Sequence, residues 1–313
     1  MPQISIILPV FNVEKYITRA LESCINQTFK DIEIIIVDDC GNDKSIDIAQ
    51  EYAKQDKRIK IIHNKKNLKL LRTRYEGVKV SNSPYIMFLD PDDYLELNAC
   101  ELALENIKKE DIDFIWFDFI YIDENNFITR DTKLKDKVHD IDGYCTYVVS
   151  INHIKWNLCS KVIKKEIYLK SISLLEKKYK LTMAEDVLLY FFMLLNCKKI
   201  ATSSLHIYYY FQNHESSTNT NNIIAIQKNL NDEEKVIKIL SAFLKSNKHL
   251  NKNIFIFLQI IVIQLTIYNL KRKTKIDKLK YCYITYKYKK IIRKILLKWY
   301  LVKKNLISRI YND

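Results

Sequence analysis

The chain has 313 residues, 48% of them hydrophobic, enough for one large domain with an appendage or for two domains. It holds only three glycines (Gly41, Gly77, Gly143) and neither a GxGxxG nor a P-loop pattern, which excludes functions built on a glycine-rich phosphate loop. The net charge of +14 is uneven: residues 271–313 hold fifteen Lys/Arg against two acids, while the first 270 residues are almost neutral.

The first ninety residues alternate. Residues 4–8 form a short β-branched run ending at Pro9. Helical spacing follows over 13–27, an apolar strand over 32–37, a helix over 45–52 and a strand over 59–63. A helix over 70–80 and a strand over 85–89 complete the series. Such alternation with short connections predicts an α/β fold with a mostly parallel sheet flanked by helices. Farther on, a helix is expected over 97–107, a strand over 114–122 and a polar loop over 123–142. Strands over 156–163 and 200–211 bracket a helix over 185–195, and the segments beyond about 216 are long and helical. Seven scattered cysteines form no CxxC pair and suit a reducing cytosol, and nothing at the N-terminus reads as a cleaved leader.

Sheets of this kind bind ligands at the carboxyl ends of their strands. The second strand ends in Asp38-Asp39 and the fourth in Asp90-Pro91-Asp92-Asp93. Carboxylates gathered at one place repel one another unless a cation sits between them, and an all-oxygen set suits Mg²⁺ or Mn²⁺. For Asp43 and Asp93 taken singly, capping a helix or turning the chain is an equal alternative.

Residues 7–45 (ILPVFNVEKYITRALESCINQTFKDIEIIIVDDCGNDKS) resemble the opening of the family 2 glycosyltransferases, which have a GT-A fold. FLDPDDY (88–94) resembles that family's DxD motif, WNLCSK (156–161) a later segment and MAEDVLLY (183–190) its second acidic motif. The chain is similar in particular to bacterial lipooligosaccharide β-1,3-galactosyltransferases. The resemblance implies a catalytic domain over 1–215, with a nucleotide-binding half at about 1–95 and an acceptor half at about 96–215. It implies a UDP-sugar donor, UDP-galactose favoured, held by Pro9, Phe11, Asn12, Glu14, Asp39, Arg72, Arg74 and Asp90. Asp90 and Asp92 would hold Mn²⁺ or Mg²⁺, and Asp186 would be the general base of an inverting transfer. Trp156, Glu185 and His214 are candidate acceptor contacts. Core packing is the alternative for Trp156, helix capping for Glu185 and plain solvation for His214. Two departures stand out. Lys69 occupies a family glycine's place and is expected to weaken turnover, and Cys40-Gly41 replaces the usual glycine-serine.

Residues 216–313 read as a helical, basic, membrane-associating region. The apolar stretch 254–270 reads as a buried or interfacial helix rather than a bilayer span. Apolar residues recur at helical spacing from Tyr288 to Leu306 among lysines, as in a helix lying on an anionic membrane. The implied partners are a UDP-sugar, a glycan or lipid-linked glycan acceptor and the cytoplasmic face of a bacterial inner membrane, with no nucleic acid. A sugar-1-phosphate nucleotidyltransferase is disfavoured by the missing N-terminal glycines; a non-catalytic protein on the same fold is the alternative from another class.

Overall fold

Ile4–Val10 shows no alternation: all seven side chains are buried, as in a strand covered on both faces, and the run forms β1. The structure, a computed structural model, describes residues 1–108, 110–130, 133–212 and 222–280, with short pieces at 294–295, 298–299 and 302–306. After β1 come α1 (Ile17–Ile25), β2 (Ile32–Asp38), α2 (Ser45–Gln55), β3 (Ile59–His63), α3 (Leu70–Val80) and β4 (Tyr85–Phe88). Next are β5 (Tyr94–Leu95), α4 (Ala99–Lys108), β6 (Phe114–Asp123), β7 (Ile128–Arg130), β8 (Lys137–Asp140) and α5 (Ile141–Ser150). Then follow β9 (Lys161–Lys164), α6 (Lys165–Ser173), α7 (Glu185–Asn196), β10 (Lys199–Gln212), α8 (Ile223–Ser246) and α9 (Lys252–Lys280).

The chain divides into two compact units. The first comprises residues 1–141, 157–181 and 192–213; the second comprises 142–156, 182–191 and 214–313. The first unit holds one mixed sheet of order β3-β2-β1-β4-β9-β6-β10-β5, with β7 on β6 and β8 on β10. β1 runs parallel to β2 and β4, and β2 parallel to β3, so these four strands end on one side. β9 is antiparallel to β4 and β6, which makes the sheet mixed.

Three boundaries differ from expectation. α1 starts at Ile17 rather than 13, because the Val13 and Glu14 amides donate to Ser45 Oγ (2.9 Å) and Asp43 Oδ2 (2.8 Å) and form a turn first. The segment 123–142 holds two short strands, β7 and β8; their side chains are nearly all exposed, so no alternation marks them. The strand expected over 156–163 is formed only from Lys161, after Ser160 takes φ 58°.

In the second unit α9 packs on α8. Phe257, Leu258, Ile260, Ile261 and Leu265 are buried, as a buried helix requires. Among the described residues α9 is also the one helix long and apolar enough to cross a membrane by length and composition, and half of its apolar stretch is buried in the chain. The two helices share a polar clasp: Asn269 Nδ2 and Arg272 Nε donate to the two oxygens of buried Glu233, each at 3.0 Å.

In the first unit α3 approaches β1 and β2 so closely that a Cβ on Gly77 would lie 2.5 Å from Ile7 Cγ2 and 2.9 Å from Val37 Cγ2. Both neighbours are fully buried and β-branched, so neither can swing away. Gly77→Ala is therefore expected to destabilise the chain by about 1–3 kcal/mol, despite alanine's better helix propensity. A denaturant midpoint at or above that of the wild type would remove the close-packing argument.

Candidate active site

Two carboxylate clusters stand at the carboxyl ends of β2 and β4, either side of β1, and unusual backbone surrounds them. At the end of β1, Pro9 is buried, Phe11 is 48% exposed and Asn12 takes φ 55°. Asn12 Oδ1 accepts from the Asn42 amide at 2.8 Å, and Glu14 Oε2 from the Lys44 amide at 2.9 Å. These bonds tie the β1 end to the β2 end. Asp43 completes the tie. Burial alone would raise its carboxyl, but hydrogen bonds from Ser45 and the Glu14 amide outweigh burial and hold it below the usual carboxylate range.

Asp38 accepts from the Cys40 amide at 2.9 Å and lies 2.8 Å from His63 Nδ1, while Cys40 takes φ 62°. Asp39 is 4% exposed. Its Oδ1 accepts from the Leu68 amide (2.7 Å) and Asn64 Nδ2 (2.9 Å), its Oδ2 from the Lys69 amide (3.1 Å). This grip holds Lys69 at φ 68°, ψ 158°, a region essentially reserved for glycine. Lys69, in the family glycine's place, thus keeps a glycine-like backbone.

Both arginines of α3 are inward. Arg74 Nη2 donates to Asp90 Oδ1 at 2.6 Å, with the guanidinium over Phe88. Arg72 instead donates to the carbonyls of Glu176 (2.5 Å) and Tyr179 (3.0 Å), so it braces a loop. Beyond β4, Asp90 and Asp92 are half-buried and Asp93 is buried. Asp93 accepts from Tyr208 OH (2.7 Å) and the Phe211 amide (2.8 Å), and the Tyr208 hydroxyl itself accepts from the Asp90 amide (3.2 Å). Burial, then the nearby charges of Asp92 and Asp90, push the Asp93 carboxyl well above the ordinary range. Asp93 is thus the turn's anchor.

Two contributors escaped the sequence reading. Tyr208 lies in a run expected only to pack, yet its hydroxyl fastens the acidic turn. Arg19 sits over the rings of Tyr94 (4.6 Å) and Phe211 (4.2 Å) and donates to the Asp92 carbonyl at 2.8 Å. No spacing signal announces either contact.

Asp186 and Trp156 belong to the second unit. Ala184 takes φ 61° just before α7, and Asp186 Oδ1 accepts from the Val187 amide at 2.7 Å. Asp186 lines a cavity of about 460 Å³ together with Trp156, Met183, Tyr268 and three cationic residues of α9, Lys271, Arg272 and Lys275. The Trp156 and Tyr268 rings meet edge-on, 5.6 Å between centroids. Glu185 is buried and is not among the residues that line this cavity. His214 lies outside the described residues.

Among the described residues no group of three or more His, Cys, Asp or Glu side chains converges as a metal cage. Mg²⁺ is commonly held by one or two carboxylates plus substrate phosphates. Asp90 and Asp92, whose charges already burden Asp93, fit that smaller donor set.

The description "Glycosyl transferase family 2" matches residues 5–167, more than half of the chain. The chain belongs to that family. The chain also shares clear identity with named relatives. It is 44% identical over 109 residues to the putative glycosyltransferase EpsH of Bacillus subtilis, 35% of this chain and 31% of EpsH. It is 33% identical over 170 residues to the minor teichoic acid biosynthesis protein GgaB of Bacillus subtilis, 52% of this chain and 18% of GgaB. The matched stretch thus spans about a third of EpsH and less of GgaB. Among solved structures, S. aureus TarS 1–349 in complex with UDP-GlcNAc superposes with TM-score 0.61 at 19% identity, covering 99% of this chain and 90% of that one. The fold of this family 2 glycosyltransferase is therefore GT-A-like, a mixed, mostly parallel sheet flanked by helices and followed by a helical C-terminal region.

The Lys69 backbone generates a direct expectation. A non-glycine residue there costs of order 1–3 kcal/mol, and glycine returns part of this as unfolded-state entropy. Lys69→Gly should raise unfolding stability by about 1 kcal/mol in a denaturant titration; a fall would show that the conformation is unstrained.

Proposed function

We propose that this chain is an inverting, metal-dependent glycosyltransferase that moves a sugar, galactose favoured, from a UDP-sugar to a hydroxyl of a lipooligosaccharide or related surface glycan. The observation that carries the donor half is the pair of carboxylate clusters at the ends of β2 and β4, ringed by the positive-φ residues Asn12, Cys40 and Lys69. In this reading Pro9, Phe11, Asn12 and Glu14 hold the base and ribose. Asp39 uses three hydrogen bonds internally, and an ionised carboxylate offers about four acceptor sites, so one remains for the uracil N–H. Arg74 acts on the donor by aiming Asp90, and Arg72 by holding the 176–179 loop. Asp90 and Asp92 would hold Mn²⁺ or Mg²⁺, which when bound neutralises the departing diphosphate.

Asp186 would take the proton from the acceptor hydroxyl as it attacks the anomeric carbon. One base and no enzyme nucleophile give a single displacement, so an α-linked donor yields a β-linked product. Trp156 supplies an aromatic wall for the acceptor ring, in a cavity it shares with Asp186. A basic C-terminal region would hold the enzyme on the cytoplasmic face of the inner membrane, beside a lipid-linked acceptor. Much of that region lies outside the described residues. TarS is described with UDP-GlcNAc, which makes N-acetylglucosamine the second donor sugar to compare.

UDP release from a panel of UDP-sugars, with Mn²⁺ and with chelator, tests the reading. Chelator-sensitive release from one donor, dependent on a glycan, is expected; donor binding without release on any glycan would favour a non-catalytic protein. Asp92→Asn should lose metal-dependent donor binding. Asp186→Asn should keep it and lose transfer by about 10²–10⁴-fold, and retained transfer would remove Asp186 as base. Cosedimentation of the intact chain with vesicles rich in anionic lipid should exceed that with neutral vesicles and fall with salt; equal partition would remove the docking role.

A further inference from the structure

The α8–α9 pair carries its acids at one end only. No aspartate or glutamate stands between Glu234 and Asp277, so the halves of both helices that flank their connection hold basic, polar and apolar residues alone. Between those halves lies a second cavity, of about 310 Å³, with walls made apolar by Leu244 of α8 and Phe255, Val262 and Ile263 of α9. Its volume is that of a small-molecule site, typically about 300–1,000 Å³.

Every charge on this lining is positive. Lys245 and Lys248 stand on α8 and Lys303 comes from the C-terminal segment; no carboxylate joins them, and none of the three is in an ion pair among the described residues. Ser241 and Gln259 also line the cavity, are half-buried, and make no side-chain hydrogen bond among the described residues. The segment that brings Lys303 is turned the wrong way for water. Residues 302–306 are helical, and Lys304 faces inward, its Nζ donating to Gln264 Oε1 of α9 at 3.1 Å. Val302 and Leu306, two residues to either side and so on the opposite helix face, are 49% and 54% exposed. Ile295 and Trp299 fall on the same stripe by spacing and are exposed too.

Three ammonium groups around one cavity repel one another until an anion joins them. A wholly apolar occupant would strip water from Ser241 and Gln259 and return no hydrogen bond. A bare anion would leave the apolar walls wet. A phosphate on a hydrocarbon chain meets both demands: its oxygens accept charge-assisted hydrogen bonds, and its chain covers the walls. The outward apolar stripe beside the cavity says where such a molecule comes from, since an apolar helix face flanked by lysines fits the surface of a bilayer. We infer that the cavity between α8 and α9 holds the phosphate headgroup of a membrane lipid, with Lys245, Lys248 and Lys303 on its oxygens and the first methylenes of its chain against Phe255 and Val262. The inference rests on the reading of the C-terminal region as membrane-docking, and names the group that it grips.

The test is calorimetry on the full chain with three soluble probes kept below micelle-forming concentration: octyl phosphate, octyl β-glucoside and inorganic phosphate. Octyl phosphate is expected to bind at least about tenfold more tightly than either of the others. Lys245→Gln combined with Lys248→Gln should erase its advantage over octyl β-glucoside without moving the unfolding midpoint. Lys278→Gln, an exposed change outside the lining, should leave that advantage intact. Equal binding of octyl β-glucoside would reduce the site to an apolar groove, and equal binding of inorganic phosphate would make it a free-anion site; either overturns the inference, as does the absence of binding by all three. A loss in Lys278→Gln equal to that of the double variant overturns it too, because it would mean a diffuse field. The probes need no bilayer, so the two readings fail separately. The octyl phosphate preference in a chain that ignores anionic vesicles would overturn the docking reading alone, and partition to those vesicles without the preference would overturn this one alone.

Discussion

The carboxyl end of the first unit's sheet hangs on one carboxylate. Asp39 stands at the end of a fully buried strand and accepts from the amides of Leu68 and Lys69. Those two bonds fix where α3 begins. The start of α3 in turn sets the reach of Arg74 to Asp90 and of Arg72 to the 176–179 loop. A charged acceptor on backbone donors is among the stronger hydrogen-bond types, and its near-complete burial raises the penalty for leaving those amides unpaired. Loss of Asp39 would thus release more than two hydrogen bonds: it would free the register of the helix that carries Arg74 to Asp90.

The scarcity of glycine sharpens this dependence. Among the described residues eight non-glycine residues adopt positive φ, among them Asn12, Cys40 and Lys69 around the carboxyl ends of β1 and β2 and Ala184 before Asp186. Asparagine tolerates this region; lysine, cysteine and alanine do so at a cost. The cost is met by local bonds that over-determine the backbone, such as the Asp38 grip on the Cys40 amide and the Asp39 grip on Lys69. Such strain stands beside Asp38-Asp39 and just before Asp186, where the surrounding bonds hold it.

The first strands were legible because they are short, largely apolar runs rich in isoleucine and valine, and the four strand ends followed from that. The two acidic clusters were legible for the same reason: acids directly after buried strands are conspicuous. What escaped was whatever depends on distant partners. Arg19 gives no local hint that two aromatic rings far from it in sequence, Tyr94 and Phe211, will hold it beside the Asp92 carbonyl. Tyr208 reads as one tyrosine among three until its hydroxyl is found on Asp93. Trp156 invited a sugar-stacking reading, but its companion Tyr268 sits on a helix whose sequence advertises only apolar packing. Glu185 and Asp186 look alike in sequence, and only burial separates them.

The order in which the chain is made adds a last consequence. The second unit is drawn from three stretches of sequence, and its cavity needs Trp156, Asp186 and residues of α9 together. At roughly 5–20 residues per second, α9 leaves the ribosome several seconds after Asp186 does. During that interval the acidic motif of α7 exists without the helix that builds its cavity. Translation that stops after β10 would leave every carboxylate of the recognisable motifs in a chain lacking that wall, so the motifs alone do not mark a competent enzyme.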